Sequence, residues 1–171
     1  MIYFTSDLHF GHANIIKFCN RPFSSVKEMN MQLVINYNSV VSNKDTTYIL
    51  GDFAMRMPKA EVESILNSLN GNKVLIIGNH DDSSVINAKG WSSVHTVYEL
   101  RDKDIHIVLS HFPMRSWNKS HYGSYHLYGH HHGGIEDYGF SFDVGVDAQN
   151  YFPISLDKVI DKMSTKTIKK Y

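Results

Sequence analysis

Five short polar clusters rich in aspartate, histidine and asparagine are spread along the chain: Asp7-Leu8-His9, Gly51-Asp52, Gly78-Asn79-His80-Asp81, Ser110-His111 and Gly129-His130-His131-His132. Four of them directly follow apolar runs of strand length, led by Ile2-Tyr3-Phe4, Thr47-Tyr48-Ile49-Leu50, Lys73-Val74-Leu75-Ile76-Ile77 and Ile105-His106-Ile107-Val108-Leu109. Ligand sites in open α/β sheets form beyond the carboxyl ends of the strands, so clusters distant in sequence are expected to converge. Carboxylate, imidazole and amide oxygen suit borderline divalent ions such as Zn²⁺, Mn²⁺, Fe or Ni²⁺. A structural zinc would instead call for several thiolates, and the chain has one cysteine, Cys19. The seven candidate ligands Asp7, His9, Asp52, Asn79, His111, His130 and His132 exceed what one tetrahedral ion uses. They fit two ions about 3.5–4 Å apart sharing a bridging carboxylate, a geometry that activates water and clamps a phosphoryl group.

Spacing adds detail. D-x-H puts two side chains on the same side of an extended segment, so Asp7 and His9 can face one ion; His130 and His132 repeat the spacing, and His131 between them is expected to point away. Gly51 allows close backbone approach beside Asp52. Asn79 offers a neutral amide oxygen that limits the negative charge of the site. Each residue has a plainer reading alone, as a turn residue or an ordinary histidine after a strand. The joint pattern outweighs these.

In the order D-x-H, G-D, G-N-H-[ED], a lone H and G-H-x-H, the blocks resemble the calcineurin-like metallophosphoesterases, over residues 1 to roughly 150. The resemblance implies an α/β (α+β) fold in which two mixed β-sheets pack as a sandwich flanked by helices. It implies a hydrolase with two divalent transition-metal ions, Mn, Fe, Zn or Ni. Asp7, His9 and His132 would hold the first ion, Asp52 would bridge, and Asn79, His111 and His130 would complete the second. His80 would contact the scissile phosphate and protonate the leaving group, with Asp81, where many relatives have Glu, orienting His80 from behind. Metal-activated hydroxide would attack phosphorus, and the expected substrate is a phosphate ester, foremost a small or nucleotide-type phosphodiester. A phosphomonoesterase, a nuclease component and a non-catalytic metal-binding scaffold stay open as alternatives.

Around the site, His12, Arg21, Arg56 and Arg115 are candidate phosphate contacts, since a guanidinium can grip two phosphate oxygens at once. Phe10, Phe53, Phe112, Trp117, Tyr122 and Tyr125 are expected in the core, with base stacking as the second reading. His95, His106, His121 and His126 are expected to be structural or solvated.

The elements that must position these residues alternate between helix and strand. Helices are expected over His12–Cys19, Val26–Val41 with Ser24 or Ser25 as N-cap, Pro58–Leu69, Ser83–Ala88 and Ser155–Met163 with Ser155 capping. Further strands are expected at Val94–Leu100, paired with Ile105–Leu109 through the turn Arg101–Asp104, and at Tyr125–Tyr128 and Phe140–Val146.

A chain of 171 residues with 42% hydrophobic content is expected to form one domain, residues 1–171, with a single core and a frayed polar tail. Zero formal net charge implies no global attraction to nucleic acid or anionic membrane. Nucleic acid is therefore the less favoured partner, with Lys166, Lys169 and Lys170 as the lysines a nuclease would use. No stretch reaches the apolar length of a membrane span, the start lacks a signal-peptide pattern and Cys19 has no intramolecular partner, so a cytoplasmic protein is expected. Oligomeric state is not readable from these features.

Overall fold

The computed structural model describes residues 1–168. Among these residues nine strands form two mixed sheets. The first contains β1 (Ile2–Thr5), β2 (Thr46–Ile49), β3 (Asn72–Ile76), β4 (Ser93–His95) and β9 (Ile154–Ser155), in the order β4-β3-β2-β1-β9. Its first four strands are mutually parallel, and β9 runs antiparallel to β1. The second sheet orders β5 (Val97–Asp102), β6 (Ile105–Ser110), β7 (Tyr125–Tyr128) and β8 (Ser141–Asp143) sequentially; only β5 and β6 pair antiparallel.

Period-two alternation in the first sheet assigns each residue to one of two cores. Phe4, Tyr48, Leu50, Val74 and Ile76 point to one side and meet Leu100, Ile107, Leu109, Leu127 and Phe142 of the second sheet. Tyr3, Ile49 and Leu75 point to the other side and meet the helices α1 (Ala13–Phe18), α2 (Val26–Val40), α3 (Lys59–Ser68) and α4 (Ser83–Ile86) through Ile15, Met29, Leu33, Val62, Leu66 and Val85. The helix α5 (Leu156–Ser164) closes the inter-sheet core with Leu156, Val159 and Met163. The two sheets with flanking helices are the architecture the resemblance implied.

Helix limits follow local chemistry. The Ser25 hydroxyl accepts the Glu28 N–H at the start of α2, and Ser155 caps α5 by accepting from Lys158. Pro58 is the N-cap of α3, just outside it.

One expected strand, Val94–Leu100, is corrected to two. Its first part is β4, parallel to β3, and its second is β5, antiparallel to β6, so the chain leaves one sheet and enters the other at Thr96. Continuous β-propensity carries no mark of a sheet change. Phe140–Val146 likewise shortens to β8, followed by a one-turn 3₁₀ helix over Val146–Ala148. Lys166 is paired with Asp137 at 2.7 Å, while Lys169 and Lys170 lie outside the described residues.

His126 of β7 is fully buried, with Nδ1 facing the Val108 carbonyl at 3.0 Å and Nε2 accepting the Met114 N–H at 3.0 Å. Both partners suit only the neutral ring. Burial lowers its pKa to about 4 from an ordinary 6.5, with the Val108 bond opposing. Between those values the unfolded chain binds a proton that the fold excludes, so stability is complete above pH 6.5 and lost as pH falls toward 4. The expected loss from this group is on the order of 3 kcal/mol. Urea midpoints of wild type and His126→Gln across pH 4–7 would read it as their difference; parallel curves would place the acid sensitivity elsewhere.

Candidate metal centre

The five clusters converge at the carboxyl ends of β1, β2, β3, β6 and β7. Two donor groups form there, each with ligand-type atoms within 4.8 Å of one another: Asp7, His9 and His132, and Asp52, His111 and His130. Asp52 faces both groups. Its Oδ2 lies 3.5 Å from His9 Nε2 and its Oδ1 3.5 Å from His111 Nε2. Asn79 joins the second group, with Oδ1 2.9 Å from His111 Nε2.

The loops reach this geometry differently from the expected extended D-x-H. Asp7, His9, Asp52, His130 and His132 all have φ between 51° and 72°, in the left-handed region. That conformation costs about 1–3 kcal/mol per non-glycine residue and persists where the surroundings over-determine it. Here the surroundings are main-chain bonds: Asp7 N–H to Gly51 C=O at 3.0 Å, His9 N–H to Asp52 C=O at 2.9 Å and Phe10 N–H to Phe53 C=O at 2.9 Å. Side-chain convergence therefore comes from a doubly bent loop. His131 lines the same cleft as His132 and packs its ring 4.9 Å from His130, but it joins neither donor group.

Glycines let the loops touch. A Cβ on Gly129 would lie 2.0 Å from Ser6 Oγ and 2.5 Å from Asp7 Oδ2, where the His130 N–H meets the Asp7 carboxylate at 3.0 Å. At Gly51, with φ of +86°, a Cβ would meet Gly78 Cα and His111 Nδ1 at 2.6 Å.

The donor set fits divalent cations on its own chemistry. His111 Nδ1 lies 2.8 Å from the Leu50 carbonyl and must carry the proton of that bond, since a carbonyl only accepts. In the neutral ring Nε2 is then a bare lone pair facing oxygens of Asn79 and Asp52. His132 repeats the scheme, with Nδ1 2.6 Å from Asp147 Oδ2. Its pKa is lowered by burial but raised on balance by Asp147 and Asp7. His9 Nε2 is buried with no hydrogen-bond partner among the described residues, and burial drives its pKa far down. Asp7 is fully buried, and desolvation pushes its carboxyl up to about 8. Acceptors facing acceptors in a dry pocket repel, and a cation relieves the repulsion.

Several positioning groups were not legible in the sequence. Asp147 fixes His132 and is itself gripped by Arg21, with Nε to Oδ1 at 2.9 Å and Nη2 to Oδ2 at 2.7 Å. The same guanidinium donates to the Asp7 and Leu8 carbonyls at 2.7 and 3.1 Å. Arg21 is thus a buried clamp on the Asp7 loop, and its expected phosphate contact is corrected. Asp143 accepts the Gly133 and Gly145 N–H groups at 2.9 and 2.6 Å. Phe142-Asp143-Val144-Gly145-Val146-Asp147 alternates apolar and acidic or glycine positions through the end of β8, the signal that could have found both carboxylates. Asp81 accepts from Gly78, Asp52 and Phe53 N–H groups at 2.8, 3.0 and 2.9 Å. It orients the Asp52 loop; the expected support of the His80 ring is corrected, and the His80 main-chain N–H donates to Asp52 Oδ1 at 2.9 Å.

A cleft of about 860 Å³ opens over the first donor group, lined among others by His9, His12, Phe18, Arg56, His80 and His132. Arg115 is elsewhere, stacked 3.9 Å from the Tyr138 ring in a separate cavity of about 450 Å³, which corrects its expected place at this site. Phe10 and Phe53 are core residues, as expected, with ring centroids 5.1 Å apart. Phe112 is half-exposed with its ring 4.5 Å from His130, and Phe18, not singled out in the sequence, is the exposed ring in the cleft. Cys19 lines the cleft and sits within reach of His132 and Asp147, with burial raising its thiol pKa to about 11, so it stays protonated.

The calcineurin-like phosphoesterase family profile matches residues 1–147, which span all of these groups through Asp147. The chain belongs to the calcineurin-like phosphoesterase family. An uncharacterized protein of Methanocaldococcus jannaschii is 40% identical, with 93% of this chain and 89% of the relative aligned. The Gene 66 protein of Mycobacterium phage L5 is 32% identical over 65% of this chain and 62% of its own. The crystal structure of a protein of unknown function from Aquifex aeolicus superposes with a TM-score of 0.75 at 26% identity, covering 95% of this chain and 98% of that one. No helix among the described residues is long and apolar enough to cross a membrane.

Removing the clamp tests its importance to the family site. Arg21→Met leaves Asp147 buried without its cation and frees the Asp7 and Leu8 carbonyls, so urea unfolding should show a loss of about 3–5 kcal/mol. A loss below 1 kcal/mol would make the clamp dispensable.

Proposed function

We propose that the chain is a binuclear metal-dependent phosphoesterase that hydrolyses a small or nucleotide-type phosphodiester. The observation that carries this reading is Asp52, whose two carboxylate oxygens face separate histidine-containing donor groups at 3.5 Å. Asp7, His9 and His132 are the first ligand set, Asn79, His111 and His130 the second, and Asp52 the bridge. Bound divalent ions would supply an activated water and neutralise charge developing on the phosphoryl oxygens.

The remaining work falls to the chain itself. His111 and His132 hold their protons on Nδ1, through Leu50 and Asp147, which keeps each Nε2 directed inward. His80 is half-buried, lines the cleft and has its ring 5.5 Å from that of His9, so it stands where a departing oxygen needs a proton. Arg56 is exposed at the cleft wall and His12 lines it; both suit contact with non-bridging phosphate oxygens. The exposed Phe18 ring, together with Ile15 and Met55, gives the cleft an apolar wall for the organic part of the ester. A diester brings two such organic groups and a monoester one.

Two measurements check the reading. Apo protein reconstituted with Mn²⁺, Ni²⁺ or Zn²⁺ should take up two ions per chain and cleave bis-p-nitrophenyl phosphate faster than p-nitrophenyl phosphate. Cleavage of neither by fully loaded protein would move weight to the scaffold reading, and a preference for the monoester would move it to a phosphatase. In the same assay His80→Ala should keep both ions and lose about 10²–10⁴-fold in kcat. Unchanged turnover at full metal content would remove His80 from the mechanism.

A further inference from the structure

Among the candidate ligands, the three imidazoles whose Nδ1 partners are visible are not anchored alike. His111 Nδ1 meets a backbone carbonyl and His132 Nδ1 meets a carboxylate, partners that can only accept. His9 Nδ1 instead meets another imidazole nitrogen, His12 Nδ1, at 3.3 Å. One of these two nitrogens carries the hydrogen and the other must be bare.

The surroundings choose between the two orders. His9 Nε2 is buried without a hydrogen-bond partner among the described residues and lies 3.5 Å from Asp52 Oδ2, on the side where Asp7 and His132 also gather. If Nε2 is to serve as a ligand atom it must be bare, which puts the proton of the neutral ring on Nδ1. Its acceptor is then His12 Nδ1, and His12 must hold its own proton on Nε2. No described residue partners that nitrogen, and His12 lines the cleft, so an N–H is left to meet solvent or an anionic oxygen. The His12 backbone is already committed, as its N–H donates to the His9 carbonyl at 3.1 Å and it is the N-cap residue of α1. Loop and ring geometry thus deliver the two nitrogens to each other.

We propose that His12 is a positioning residue: its bare Nδ1 accepts the His9 Nδ1–H, fixes the orientation of that ring and keeps His9 Nε2 free for the first ion. This rests on the binuclear reading above. Groups that hold the far nitrogen of a metal-binding histidine generally change metal affinity by about 10–100-fold when removed. An imidazole in that place makes His12 matter to the first donor group and not to the second, which is anchored through Leu50.

The test uses the full chain loaded with Zn²⁺, which is diamagnetic, and ¹⁵N-labelled histidine. Long-range ¹H–¹⁵N spectra are expected to show His9 protonated on Nδ1, His12 protonated on Nε2, and a coupling across the hydrogen bond between the two Nδ1 atoms. Competition titration of His12→Phe, which keeps a ring but no acceptor, is expected to weaken one of two Zn²⁺ equivalents about 10–100-fold and leave the other unchanged. His12→Asn, whose amide oxygen can occupy the place of Nδ1, is expected to recover most of that loss. Wild type that binds two Zn²⁺ with the His12 Nδ1 protonated, or a folded His12→Phe that titrates like wild type, overturns the inference and leaves the binuclear reading intact. Wild type that binds fewer than two Zn²⁺ overturns the binuclear reading, and the role of His12 with it.

Discussion

The carboxylate of Asp52 sits between two sets of nitrogen and oxygen donors in a place water does not reach, and much of the surrounding structure makes that burial tolerable. A buried charge without compensation is among the most destabilising features a fold can carry. Around Asp52 the compensation is largely main-chain. Asp81 draws in the amides of Gly78, Asp52 and Phe53, and the His80 amide donates to Asp52 itself. The strand ends of β2 and β3 are thereby tied together beneath the carboxylate. Gly51 and Gly78 face each other there because no Cβ would fit between them. Hydrogen bonds of this kind hold the carboxylate in position but do not neutralise the neighbouring Asp7 or satisfy His9 Nε2. What is left over is a demand for positive charge.

That demand is built in at the cost of backbone strain. Five of the seven candidate ligands occupy the left-handed region, and strain of this kind is stable only when something else holds the loop. Arg21 is the largest single holder, because one guanidinium grips Asp147, the Asp7 carbonyl and the Leu8 carbonyl together. Through Asp147 it also reaches His132, so the loops after β1 and β7 are coupled through a side chain from the segment between α1 and α2. Helix packing on the first sheet is therefore mechanically connected to the donor geometry. Donors assembled in this way are preorganised, because folding itself positions them.

The strands and clusters were legible because both rest on short-range patterns. Apolar runs of strand length mark β1, β2, β3 and β6, and polar residues at their carboxyl ends mark the site, since parallel strands deliver those ends to one edge. Other features depend on long-range geometry and leave little local trace. The change of sheet at Thr96 occurs within a continuous β-forming run. The spacing of Asp7 and His9 suggested an extended segment, yet the convergence comes from left-handed turns fixed by Gly51 and Asp52, more than forty residues away. Arg21 and Arg115 are both cations near site loops in sequence, but one is taken up by Asp147 and the other by the Tyr138 ring. Asp143 and Asp147 carry the mark of a strand-end cluster, and were hidden by the shortness of β8.

The charges that remain around the cleft bear on what can bind there. Arg56 is the cation at its wall, and two of the imidazoles there are held down: burial drives His9 far down, and burial with the neighbouring His80, Arg21 and Arg56 lowers His12. Neutral imidazoles contribute hydrogen bonds but little long-range field. Polynucleotide binding draws its strength from many phosphates neutralised by lysine and arginine along a track. A chain with balanced formal charge, with Arg21 buried, Arg115 stacked on a tyrosine and Lys166 paired to an aspartate, offers little such track among the described residues. Among the described residues the cleft offers one exposed guanidinium, Arg56, and an apolar wall beside the donor groups, a small surface in comparison with the charged track a long polyanion needs.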